Sequence, residues 1–352
     1  MFWMYAGFIL FVVAMLVLDL GVFHRKAHVD SVKEALGWSA FWITLGLAFS
    51  VFIHLAYNHH WQGLGLSPDP VDGMLNTGSL AVVKYLTGYL IEKSLSMDNI
   101  FVIAMILGFF SVPAEQQHRV LFWGILGALI LRGVMIAVGA ALVAQFHWVL
   151  YLFGAFLVVT GLKMLVAEEK AADLDRNIIV RTARRLFPVT TRFYGRHFLV
   201  RAGSARAAEP DGGGVDPVVA TAARGALVLT PLALALGVVE TADVVFAVDS
   251  IPAIFAITAD PFLVFTSNIF AILGLRSLFF ALAGMLRTFR HLKVSLSLVL
   301  VLVGVKMLSA HWLRQWLGEH FNLIVLGVVL AILAAGIAAS LVIKEDGPVH
   351  KD

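Results

Sequence analysis

The chain has 352 residues, of which 60% are apolar and only 14% charged, with a formal net charge of +3. Soluble domains are roughly 45–50% apolar and about 25% charged, so this composition, with a mean hydropathy of +0.89, excludes a soluble globular protein and indicates an integral membrane protein. The absence of cysteine excludes disulfides, thiolate metal sites, Fe–S clusters and a thiol nucleophile.

Apolar runs recur from end to end, and nine membrane spans are predicted, at residues 2–23, 36–57, 78–110, 120–143, 148–167, 226–258, 262–286, 294–313 and 323–343. Each is long enough for a hydrocarbon core of roughly 30 Å. The first run lacks a basic n-region and a cleavage site, and His24-Arg25-Lys26 follows it like a stop-transfer flank, so it reads as a span. Asp19, near its end, caps or pairs locally. The pI of about 9.2 comes from the connections. With the N-terminus outside, 19 of the 26 Lys and Arg fall in cytoplasmic connections and one, Arg314, in an external one. That asymmetry predicts an N-out, C-in protein, and it makes the basic residues topology signals, with no nucleic-acid partner.

The chain divides into residues 1–77 with two peripheral spans, 78–167, a cytoplasmic connector at 168–225 with a Gly212-Gly213-Gly214 break, 226–313, and 314–352 with the ninth span. The second and fourth segments look alike. Gly161-Leu162-Lys163-Met164-Leu165 matches Gly304-Val305-Lys306-Met307-Leu308, Leu131-Arg132 matches Leu275-Arg276, and Glu92 with Asp98-Asn99-Ile100 matches Asp243 with Asp249-Ser250-Ile251. These markers fall in one order over three spans, an odd number, so two inverted three-helix repeats are predicted.

Glu92, Asp98 and Asn99 lie in the third span, and Glu240, Asp243, Asp249 and Ser250 in the sixth. A carboxylate at the bilayer centre costs about 2.5–3.5 kcal/mol on insertion scales, so five in two matched spans point to function. Glu92 and Asp98 are six residues apart, as are Asp243 and Asp249, which on a regular helix is about 120° of rotation and roughly 9 Å of rise. A break in each helix is therefore expected, at Pro252 beside Asp249 and, with less to go on, at Ser94 to Ser96. Asp98 and Asp249 are expected nearest the pseudo-twofold axis. The donor set is all oxygen, extended by Ser267 and Asn268 of the next span, and it suits Mn²⁺, Ca²⁺ or Mg²⁺. Arg132 and Arg276 read as structural, each locking a carboxylate or carbonyl of its own repeat. Lys84, Lys163 and Lys306 read as snorkelling side chains. His54, His59 and His60 read as interfacial residues beside Tyr57 and Trp61, and Gly124, Gly127 and Gly154 as close helix contacts. No protease, zincin, hydrolase-elbow or phosphate-loop motif occurs, so an enzyme is not expected.

The stretches from Glu92 through Asp98-Asn99, from Glu240 through Asp243, Asp249-Ser250 and Pro252, and Thr266-Ser267-Asn268 through Arg276 closely resemble the TerC family of integral membrane proteins, in particular its Alx subgroup. Leu18-Asp19 and the residues after it extend the likeness over nearly the whole chain. The resemblance implies a metal-homeostasis protein similar to Mn²⁺ exporters. It implies Glu92, Asp98, Asn99, Glu240, Asp243, Asp249, Ser250 and Asn268 as metal-site residues. The expected function is export of a divalent cation, Mn²⁺ first, by proton antiport. The alternatives are a Ca²⁺/H⁺ exchanger and a non-transporting metal-binding or assembly factor. No permanent cofactor is expected; the partners are the transported ion, protons, the lipid bilayer and, in a homo-oligomer, further copies of the chain.

Overall fold

The computed structural model describes residues 2–18, 31–166, 178–204, 211, 216–282 and 292–342. Asp19, the His24-Arg25-Lys26 flank, the Gly212–Gly214 break and the basic residues at 287, 290, 344 and 351 lie outside the described residues. The helices are α1 (Phe2–Leu18), α2 (Val32–Asn58), α3 (Gly78–Phe109), α4 (Ala114–Gln145), α5 (Trp148–Val166), α6 (Ile178–Leu186), α7 (Pro217–Thr221), α8 (Pro231–Phe255), α9 (Pro261–Ile272), α10 (Leu275–Leu282), α11 (Leu292–Leu308), α12 (Ala310–Leu317) and α13 (Phe321–Val342). Strands β1 (Leu199–Arg201) and β2 (Leu227–Leu229) pair antiparallel, Val200 opposite Val228.

The protein is a multi-pass helical membrane protein. Among the described residues six stretches are long and apolar enough to cross a bilayer: α2, α4, α5, α8, Pro261–Leu282 and Phe321–Ser340. The other three predicted spans correspond to α1 and α11, each of 17 described residues, and to α3, which is long enough but carries Lys84, Glu92, Lys93 and Asp98. Exposed apolar side chains such as Leu10, Val51, Ile130, Val159 and Leu330 cover the outer faces of this bundle, as a hydrocarbon environment requires.

The predicted helix breaks fall elsewhere. α3 runs unbroken for 32 residues, its Ser94 hydroxyl donating to the Leu90 carbonyl at 2.7 Å. α8 has 25 residues rather than 33, because the run preceding it forms β2. Pro252 sits in its last turn, where one missing N–H does not stop a helix that ends at Phe255. The interruption is instead in the seventh span, between α9 and α10. Leu273 leaves helical geometry and Gly274 takes φ +79°, with the Trp42 side chain so close that a Cβ would meet it at 2.6 Å; only glycine fits there. The Lys93 ammonium of α3 donates to the freed carbonyls of Ala271 (3.1 Å) and Leu273 (3.2 Å).

α3 and α8 pack antiparallel. Gly88, early in α3, meets Ile254, late in α8. α3 also packs on α9 as α8 packs on α4. α5 and α11 cross through glycines: a Cβ at Gly161 would stand 2.8 Å from the Ser297 carbonyl oxygen and 2.7 Å from Val301, and one at Gly304 would stand 2.8 Å from the Gly154 carbonyl oxygen and 2.9 Å from Val158. Gly124 and Gly127 make the expected close contacts, to Val239 and Glu240 of α8.

Two irregular segments close the ends of the α3–α8 pair. The short cap, residues 64–77, covers the start of α3 and the end of α8. The long cap, the described residues of 178–204, 211 and 216–230, covers the opposite end: Val180, Phe193 and Phe198 pack with Ile103, Leu107, Val120 and Leu232. It departs from an all-α fold by the small sheet of β1 and β2. Asp216 caps α7, and although burial pushes its carboxyl up, hydrogen bonds from Thr190 and the Val218 amide hold it below the usual range.

Candidate functional site

Arg132, on the buried stripe of α4, is 2% exposed and reaches into the junction of α3 and α8. Its guanidinium grips Asp243 of α8 with two N–H groups, Nη2 to Oδ1 at 2.8 Å and Nε to Oδ2 at 3.3 Å. Nη1 also pairs with Oε1 of Glu92 on α3, and it lies 3.5 Å from the Ser250 hydroxyl. Arg132 therefore binds a carboxylate of its own half and one of the other, contrary to the expectation of a lock within one repeat. The repeat-matched acids brought together are Glu92 and Asp243, where Asp98 and Asp249 had been expected. Unbroken helices explain the difference, since residues six further on turn about 120° away.

The cluster holds one positive and two negative charges, and its hydrogen bonding is incomplete. Glu92 is 1% exposed, yet its Oε2 has no hydrogen-bond partner among the described residues. Neither does Oε2 of Glu240, one turn before Asp243, whose carboxylate lies against Gly127. Asn268 of α9 is fully buried with both amide atoms unpartnered. Its neighbour Ser267 approaches Gly88, one turn before Glu92. Buried polar groups are normally satisfied, so these atoms mark the junction as a place for a polar ligand. Asn99 is buried two turns beyond Glu92, and Asp98 and Asp249 are half-buried; the charge acting on Asp249 is Lys163 of α5. Among the described residues no three His, Cys, Asp or Glu side chains are grouped closely enough to hold a metal ion.

A second buried polar cluster sits under the short cap. Lys84 does not snorkel: it is fully buried, 2.8 Å from Asp69, 2.8 Å from Asp72 and 2.7 Å from the Asn76 carbonyl oxygen. Asp69 also accepts from the Thr258 hydroxyl and, at 3.0 Å, from the Ala259 amide; Asp72 accepts from Asn322 of α13 at 3.0 Å. Lys306 is likewise buried, donating to the Ala256 carbonyl at 2.9 Å, with its ammonium 5.3 Å from the Phe321 ring centroid. Lys163 alone of the three is exposed. His60 bonds the Leu64 carbonyl through Nδ1 and His59 stacks on Trp61. Sequence reasoning missed this cluster because its acids lie in a connection; the run Ser67-Pro-Asp69-Pro-Val-Asp72-Gly, acidic and turn-forming just before an apolar helix with a lysine, was the available signal.

The chain is 46% identical to the membrane protein STKORF319 of Myxococcus xanthus, over 98% of this chain and 94% of that one. It is 42% identical to the Alx protein of Escherichia coli strain K12, named as a membrane-bound redox modulator, over 94% of this chain and 91% of that one. A membrane protein of Rickettsia felis is 36% identical over 95% and 96% of the two chains. No solved structure matches. Residues 77–347, which include both halves of the buried junction, match the integral membrane protein TerC family, and the chain belongs to that family.

Proposed function

We propose that the protein exports a divalent cation, Mn²⁺ first and Ca²⁺ second, across the cytoplasmic membrane by alternating access, coupled to inward proton movement. In this reading nine helices span the bilayer, the N-terminus and the short cap are outside, and the C-terminus and the long cap are cytoplasmic. Residues 78–167 and 226–313 form the two inverted repeats. The antiparallel α3 and α8 support that arrangement, and so does the glycine crossing of α5 and α11. Shifting each contact of Gly161 by the offset that relates it to Gly304 gives the pair opposite Gly304 with its residues exchanged, as a twofold axis requires.

The observation that carries the reading is the buried Glu92–Arg132–Asp243 cluster, short of one positive charge and with Glu92 Oε2 left unpaired among the described residues. Oxygen donors suit Mn²⁺ and Ca²⁺. Moving a divalent cation outward costs about 4.6 kcal/mol per 100 mV, at about 2.3 kcal/mol per charge, and carboxylates that lose protons as they take up metal supply the coupling. The name of the Alx relatives refers to redox modulation; with no cysteine in this chain, such an effect here would act through the exported ion. The test is flux of Mn²⁺, Ca²⁺, Mg²⁺ and Zn²⁺ in proteoliposomes under an imposed pH gradient, with Glu92→Gln and Asp243→Asn as controls. Gradient-dependent Mn²⁺ movement that both variants reduce is expected. Movement of none of the ions, or full rates in both variants, would refute it.

One observation favours the second reading, a membrane assembly factor without transport: Arg132 already satisfies three of the four carboxylate oxygens in the cluster. Full retention of cellular function by Glu92→Gln and Asp243→Asn would favour that role.

A further inference from the structure

The junction of α3, α4 and α8 has a feature that a simple ligand cage lacks: a fixed cation already occupies it. Glu92 and Asp243 come from different halves of the chain and meet on the Arg132 guanidinium. One ion coordinating both carboxylates would have to sit between them, where Nη1 and Nη2 are. A divalent ion placed there with the guanidinium in position would put two cations in contact inside a buried site, where the weak dielectric magnifies repulsion. The ion and the guanidinium therefore exclude each other by space and by charge. Glu92 Oε2, buried and unpartnered, is the oxygen that offers the arriving ion its first ligand. The Ser250 hydroxyl lies 3.5 Å from Nη1 at the edge of the same clamp.

We infer that Arg132 is a tethered counter-cation, holding the Glu92–Asp243 position in the empty protein and expelled from it when a divalent cation binds. This rests on the transport-site reading above and adds an exchange step to it: the empty site keeps its two halves clamped by its own positive charge, and the loaded site replaces that clamp with the ion. No covalent bond changes: the guanidinium gives up its hydrogen bonds to Glu92 and Asp243, and the ion's coordination replaces them.

The experiment is equilibrium Mn²⁺ binding to the purified full-length protein in detergent, comparing wild type with Arg132→Gln, Arg132→Lys, Glu92→Gln and Asp243→Asn. Removing the competitor should tighten Mn²⁺ binding about tenfold or more in Arg132→Gln. Arg132→Lys, which keeps a charge without the bidentate fork, should fall between, and Glu92→Gln and Asp243→Asn should weaken binding. A purely structural Arg132 predicts the reverse, because its loss would leave the carboxylates unpositioned. Equal or weaker binding by Arg132→Gln overturns the inference. A second measurement needs no variant to fold: infrared difference spectra of the wild type with isotope-labelled arginine should lose an ion-paired guanidinium band on Mn²⁺ addition, and an unchanged band overturns it as well. The outcomes separate from those of the transport reading. Tighter binding in Arg132→Gln with no flux in proteoliposomes keeps the exchange and rejects export, whereas flux without tighter binding does the opposite.

Discussion

Lys84 and Arg132 are both buried cations facing two carboxylates, yet their surroundings differ. Lys84 donates to Asp69, Asp72 and Asn76, which uses its three protons. The acids are saturated in turn by Thr258, Ala259, Val71, Met74 and Asn322. A third acid, Asp260, caps α9 through the Phe262 amide at 3.0 Å and accepts from Asn76 at 3.2 Å. Around Arg132, by contrast, Glu92 and Glu240 each leave an oxygen unpaired among the described residues. A saturated network rigidifies, and an unsaturated one in the same bundle is held ready for something to arrive. The short cap thus has the chemistry of a closure, and the junction below it the chemistry of a site.

The comparison breaks most directly at its cations. Lys84→Met would strand Asp69 and Asp72 without their cation, a loss of about 3–5 kcal/mol, read as a fall in thermal unfolding temperature in detergent. A small shift would mean that the cap is closed by packing alone. Next in size is a matched pair. Asp72→Asn should cost about 1–3 kcal/mol, because it weakens the bonds to Lys84 and Asn322. Glu92→Gln removes charge from a cluster that has too much negative charge, and should leave stability unchanged or improved while Mn²⁺ binding falls. Equal destabilisation by the two would erase the distinction between closure and site.

How much of this was readable in the sequence follows the same division. Glu92, Asp243 and Ser250 stood out because a charge or hydroxyl in an apolar run is conspicuous wherever its partner lies, and the structure joins them through Arg132, itself read as structural. The partners were not readable, since Arg132 lies 40 residues from Glu92 and 111 from Asp243, and no local periodicity encodes such a contact. Lys84 carried the pattern of a snorkelling lysine, and only the folding back of residues 64–77 shows that it is enclosed. The helix break went to Gly274 rather than Pro252 for a reason outside local sequence: Trp42 of α2 packs on Gly274, and Lys93 of α3 takes the carbonyls that the break frees.

Smaller effects sharpen the contrast. Gly127→Ala would drive a methyl group into the Glu240 carboxylate. The carboxylate ends a flexible side chain and can move, so the expected cost is about 1 kcal/mol in stability, with a larger change in Mn²⁺ affinity if Glu240 takes part in binding. No comparable substitution at the cap should alter metal affinity.

The smallest effects concern protons at the short cap. Burial pushes the Asp69 carboxyl up, but the Lys84 ammonium and hydrogen bonds from Lys84, Thr258 and Ala259 more than offset it and leave Asp69 below the usual carboxylate range. A carboxyl whose folded-state value is depressed stabilises fully above its unfolded value of about 3.9, and that contribution is lost only as pH falls through the lower folded value. Acidification from neutral pH to about pH 5 should therefore leave the Lys84 closure intact. The unfolding temperature of the wild type should hold over that range, and a fall would show that the closure titrates. Asp260 is the opposite case, raised by burial and then by the charge of Asp69, with Tyr57 and Asn76 acting against them. Its charge works against the folded state as pH rises through the usual carboxylate range, and asparagine can still cap a helix and accept from Asn76. Asp260→Asn should accordingly lie within about 0.5 kcal/mol of wild type at neutral pH, while the same change at Asp69, which meets Lys84 directly, should not.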